Sequence, residues 1–182
     1  MTKEDIVAID KYLAAAANGN LYIDYISEAA KKAKLVLDAE LSENLADGDV
    51  FKKWLYEAIE EKNDDKLEKL FIMAIIYEQY DEKTIEILGT IACDDWHKQA
   101  ENLLDIFEHH PTSLTCEILC KMAHARYPGQ NYGRENNENI TKKVVWALWR
   151  LKEHNAVKML SECDDEIAAK YAVRQMNVFN RK

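Results

Sequence analysis

The chain has 182 residues, 48% hydrophobic and 31% charged, with a net charge of −9. That balance belongs to a folded globular protein, and the length suits one domain with a sizeable core. Five glycines and two prolines leave little room for hairpin turns or linkers, and the acidic excess speaks against a protein that tracks nucleic-acid phosphates.

Apolar residues recur at three- and four-residue spacings almost throughout, which predicts helices and no strands. The first helix is expected over 2–17, with Thr2 as its N-cap and Asn18-Gly19-Asn20 as its stop. A second, over 21–41, carries Tyr22, Ile26, Ala29, Ala33, Val36 and Leu37 along one side. Asp47-Gly48-Asp49 opens a third, whose Phe51, Trp54, Leu55, Ala58 and Ile59 form an apolar stripe, and Asn63-Asp64-Asp65 is the next break. Further helices follow at about 65–79, 82–92, 95–109, 112–125, 139–152, 155–162 and 165–178, punctuated by Asp81, Asp94, Pro111, Asn155 and Asp164. Connections of two to four residues make consecutive helices antiparallel.

A self-match at an offset of 31 residues runs through the middle of the chain. Thr84-Ile85-Glu86-Ile87-Leu88 recurs as Thr115-Cys116-Glu117-Ile118-Leu119, and Ala92 matches Ala123. Upstream, Ile72, Met73, Ile75 and Ile76 match Leu103, Leu104, Ile106 and Phe107. This is the mark of a helical repeat of about 30 residues. Towards the C-terminus come Val144-Val145-Trp146-Ala147-Leu148-Trp149-Arg150-Leu151, then Asn155-Ala156-Val157 and Leu160, then Asp164-Asp165-Glu166-Ile167, Ala169 and Ala172. That segment resembles a HEAT-like repeat of the short, phycobilisome-lyase-type variety. The resemblance implies an all-α fold, a right-handed α-α superhelix (a HEAT-like solenoid) of about ten antiparallel helices. It covers 64–178 of a single domain spanning 1–182, with 1–63 as divergent N-terminal helices or a cap. The stretch Arg126-Tyr127-Pro128-Gly129-Gln130-Asn131-Tyr132-Gly133-Arg134-Glu135 interrupts it, and insertions in solenoids often line a binding face.

Chemistry-bearing motifs are sparse. No GxGxxG, P-loop, GxSxG or HExxH occurs, so no catalytic residue, metal or cofactor is expected. Cys116, Cys120 and His124 share a helix face that His97 could approach, but buried packing explains them better than zinc. His109-His110 suit a helix C-terminus, where the dipole favours them. Trp54, Trp146 and Trp149 read as core, and Trp96 as partly exposed in the first turn of its helix. The start, MTKEDIVAID, lacks the apolar core of a signal peptide, and the longest apolar run is far short of a membrane span. A cytoplasmic protein with free, mostly buried thiols is therefore expected.

Charge is unevenly spread: residues 1–48 carry a net −4, 49–111 a net −9 and 112–182 a net +4. The function expected from this pattern is non-enzymatic binding of a basic protein, with no nucleic acid and no membrane involved. Partner-binding candidates are Asp81, Glu82, Glu86, Asp94, Asp95, Trp96, Glu117, Tyr127 and Tyr132. The concrete form is a bacterial immunity protein that neutralises a nuclease-type toxin domain, its acids mimicking substrate phosphates. An adaptor or scaffold subunit is the alternative, as is a HEAT-like lyase or DNA-repair-type protein. The chain would be a monomer or a weak homo-oligomer.

Overall fold

A computed structural model describes residues 1–19, 28–127 and 133–179, and among these residues every regular element is a helix. The described chain falls into two compact units, Met1–Gln79 and Tyr80–Lys182. The expected boundary at 63/64 lies inside the first unit, at the N-cap of its fourth helix.

The first unit holds α1 (Lys3–Gly19), α2 (Glu28–Glu40), α3 (Gly48–Glu60) and α4 (Asp64–Ile76). Thr2 and Asp5 close a reciprocal cap on α1. The Asp5 backbone N–H donates to Thr2 Oγ1 at 3.1 Å, and the Thr2 N–H to Asp5 Oδ2 at 2.6 Å. Asp47 caps α3 through its side chain, as the sequence predicts, and at the expected break before α4 the cap is the Asn63 side chain. α1 packs on α2 and α3 on α4, burying Ile9, Leu37, Phe51, Trp54, Leu55, Leu67, Leu70 and Met73. Several carboxylates are tied down here. Asp5, fully buried, also accepts from the Ser42 N–H at 2.7 Å and the Ser42 hydroxyl at 2.9 Å. Burial alone would raise its carboxyl, but the donors from Ser42 and Thr2 outweigh it and hold the group below its ordinary value. Tyr77 Oη donates to Asp38 at 2.5 Å, Trp54 Nε1 to Glu43 at 2.7 Å, and Lys69 bridges Asp65 and Asp10.

The second unit holds α5 (Glu82–Ile91), α6 (Ala100–His109), α7 (Thr115–His124), α8 (Gly133–Arg150), α9 (His154–Ser161) and α10 (Glu166–Phe179). Successive helices from α6 to α10 pack on one another, with further contacts of α8 to α6 and α10 and of α7 to α9. Gly89 lets α5 approach α7: a Cβ there would stand 2.6 Å from Ile118 Cδ1. Asp165 joins α7 to α10. It caps α10 by accepting from the Ile167 and Ala168 N–H groups at 3.1 Å, and its Oδ2 takes Arg126 Nη2 at 2.6 Å and His124 Nδ1 at 3.4 Å. Desolvation would raise the Asp165 carboxyl, but the Ala168 N–H, Arg126 and His124 together hold it down.

Several sequence expectations are corrected. α6 begins at Ala100, not near 95, because the His97 imidazole fixes 91–99 in a turn: Nε2 donates to the Ile91 carbonyl at 2.8 Å, and Nδ1 accepts from the Gln99 N–H at 3.2 Å. Asp94 therefore caps no helix, and Trp96 lies in no helical turn. α8 starts at Gly133 rather than 139, since 134–139 contains no proline or β-branched residue to halt it. Trp146 is 44% exposed rather than core, because the buried face of α8 runs through Ile140, Val144, Val145, Ala147 and Leu148. Cys93 is exposed and Cys116, Cys120 and Cys163 are half-buried, so the thiols are not mostly buried.

No helix is long and apolar enough to cross a membrane among the described residues.

Candidate functional site

Residues 80–111 carry eight acids and two bases, and most of the sequence-predicted contact residues lie there. Asp81 is the N-cap of α5, its Oδ1 accepting from the Thr84 N–H at 2.8 Å, so this acid has a structural task although it is exposed. Glu82 follows in the first turn, exposed and with no cation paired to it among the described residues. Glu86 pairs with Lys83 at 2.8 Å, one turn along the same helix. In the next turn Asp94 Oδ2 accepts from Trp96 Nε1 at 2.9 Å, and the Trp96 ring meets His97 edge-on at 4.9 Å. Trp96 is thereby held half-buried, while Asp95 beside it is exposed and makes no ion pair among the described residues.

Glu117 and Tyr127 lie on α7 and on the segment that follows it. Glu117, on α7, is exposed but pairs with Lys121 at 2.6 Å. Tyr127 is only 3% exposed and its hydroxyl donates to the Ala92 carbonyl at 2.9 Å. Burial takes it off the contact surface and makes it an anchor for the chain leaving α7. Its hydroxyl is also held protonated well above the ordinary range, chiefly by desolvation. Tyr132 lies outside the described residues.

The cysteine and histidine face of α7 does not assemble as a metal centre. His97 is committed to Ile91 and Gln99, and His124 to Asp165. Among the described residues no group of three or more His, Cys, Asp or Glu side chains is placed to hold a metal ion. Burial, with Cys120 and Glu153 alongside, pushes the Cys116 thiol up to about 12, so it stays protonated.

One feature escaped the sequence reading. Tyr80, Glu82, His110, Pro111 and Thr112 line an open cleft of about 330 Å³. The Tyr80 and His110 rings pack at 4.7 Å with planes tilted by 34°. His109 and His110 do end α6 as the sequence suggested, His109 Nδ1 meeting the Asp105 carbonyl at 2.7 Å. Their use as a helix stop hid the second role of His110 as a wall of the cleft. The available signal was an aromatic residue next to an Asx cap, Tyr80-Asp81, but nothing in the sequence brings position 110 to it.

No family model matches the chain, and neither a curated protein nor a solved structure matches it.

Proposed function

We propose that the chain is a non-enzymatic protein-binding protein that holds a basic partner on the acidic surface of residues 80–111. Its most concrete form is a cytoplasmic immunity protein that neutralises a nuclease-type toxin domain. In this reading the antiparallel helices continue into a HEAT-like right-handed superhelix, and the acids at its turns face the partner. The observation that carries the reading is the availability of Glu82 and Asp95: both carboxylates are exposed and neither has a cation among the described residues. Unpaired surface charge of one sign attracts an oppositely charged partner, and a half-buried tryptophan such as Trp96 can anchor it once it arrives.

Affinity capture from the native cell tests this, with the wild-type chain run beside a Glu82→Lys/Asp95→Lys variant. A basic protein retained by the first, lost from the second and released by salt is the expected result. Equal retention by both chains overturns the acidic-surface reading. The immunity form fails separately if expressing the chain gives no protection to cells that express the captured partner.

A further inference from the structure

We infer that the cleft lined by Tyr80, Glu82, His110, Pro111 and Thr112 is a subsite for an arginine side chain of a bound basic protein. This rests on the acidic-surface reading and specifies what that surface recognises at one place.

Three features of the cleft converge on a guanidinium. First, Glu82 supplies an exposed carboxylate whose charge is not spent inside the protein, while its neighbour Lys83 turns to Glu86. A carboxylate can take a guanidinium through two parallel hydrogen bonds. Second, the tilted Tyr80–His110 pair gives the cleft an aromatic wall. A guanidinium is planar and weakly hydrated on its faces, so it stacks on such a wall and still donates from its edge. An ammonium is a compact, strongly hydrated charge and gains less from the same surface. Third, the local fields favour a cation. The cleft lies beside the C-terminal end of α6, where the helix dipole is negative. The opposing positive end of α5 is covered by Asp81, its cap, and by Glu82 in its first turn.

His110 does not oppose the cation. Partial desolvation, and then the neighbouring His109, hold its imidazole below the ordinary value, so it meets the guanidinium as a neutral ring near pH 7. An open cleft of about 330 Å³ leaves space for a side chain to enter from a partner's surface.

The test is an NMR titration of the full chain with N-acetyl-arginine amide, and in parallel with N-acetyl-lysine amide. The arginine probe should shift the amide signals of Tyr80, Glu82, His110 and Thr112, and bind about fivefold more tightly than the lysine probe, the size of one exposed cation–π contact. Glu82→Gln should weaken binding of both probes. His110→Ala, at an exposed position, should narrow the preference for arginine. Equal affinity for the two probes, or shifts confined to other residues, overturns the subsite. So does an unchanged response in Glu82→Gln. Absence of probe binding while Asp95→Lys still releases a captured basic partner overturns the subsite and leaves the acidic surface standing.

Discussion

The two units carry different charge and lay it out differently along the chain. Met1–Gln79 holds 17 acids and 10 bases, and Tyr80–Lys182 holds 16 and 14. Yet in the first unit many carboxylates are occupied: Asp5 by Ser42 and Thr2, Asp38 by Tyr77, Glu43 by Trp54 and Lys53, and Asp10 and Asp65 by Lys69. In the second unit the net charge is nearly balanced, but the two signs are separated along the chain. Residues 80–111 are acidic and 112–182 basic, and Glu82 and Asp95 are left unpaired among the described residues. Net charge measures solubility and long-range attraction, whereas recognition depends on which charges the fold has left uncommitted.

The same contrast holds for tryptophan, and there it has the largest expected effect. Trp54 is fully buried in the first unit, with its indole N–H on Glu43, whereas Trp146 of the second unit is 44% exposed under the Lys142 ammonium. Trp54→Ala should cost about 3–5 kcal/mol in urea unfolding, the usual penalty for emptying a core site of this size. Trp146→Ala should cost less than about 1 kcal/mol, because it opens no cavity and loses only surface packing and one exposed cation–π contact. Comparable losses at the two sites would break the contrast.

Asp5 and Asp165 come next, a buried carboxylate in the first unit and a half-buried one in the second, and both organise a helix start. Asp5→Ala removes the side-chain half of the reciprocal α1 cap and strands the donors of Ser42, which should cost about 2–4 kcal/mol. Asp165→Ala loses the α10 cap and the tie to Arg126, at about 1–3 kcal/mol. Both folded carboxyls are held below the ordinary value of 3.8. Their contribution is therefore fully present above that unfolded value and is lost as the pH falls through the lower folded one. Unfolding free energy followed from pH 6 downward should decline less steeply in Asp5→Ala than in the wild-type chain. Parallel curves would remove Asp5 as a source of acid sensitivity.

How far these sites could be read from the sequence depended on whether local residues alone determined them. The caps at Thr2, Asp47 and Asp81, and the break that Asn63 caps, were legible because a cap acts on the next few residues. The Asp94-Asp95 pair looked the same and is not a cap, because His97 reaches back to Ile91 and overrides it. The 31-residue match is only half carried into packing. Thr84, Ile87, Leu88 and Ala92 are buried like Thr115, Ile118, Leu119 and Ala123, whereas Ile75 is 50% exposed and its counterpart Ile106 is buried. Even the matched threonines differ, since Thr115 Oγ1 accepts from the Thr112 N–H at 2.7 Å while Thr84 Oγ1 is buried with no hydrogen bond. Asp5 as a buried hub and His110 as a cleft wall both depend on partners about 30 or more residues away, which periodicity cannot reveal.

The smallest predicted effect concerns a device the units share. Glycine signals were scarce, and α3, α4 and α8 end without one, through Lys62, Glu78 and Lys152 at φ of 49°, 55° and 64°. Behind each, a backbone N–H reaches back five residues: Asn63 to Ala58, Gln79 to Ala74, and Glu153 to Leu148, at 2.9 Å in every case. This is the Schellman closure, which glycine usually supplies because a side chain in the left-handed region costs about 1–2 kcal/mol. Glycine also loses more entropy on folding, which returns part of that gain. Each of Lys62→Gly, Glu78→Gly and Lys152→Gly should therefore stabilise the chain by about 0.5–1 kcal/mol in urea unfolding. Lys152 and Glu78 are exposed, so their replacement deletes no core contact and isolates the backbone term. Stabilisation at Lys62 and Glu78 but not at Lys152 would show that the two units do not close their helices on equal terms.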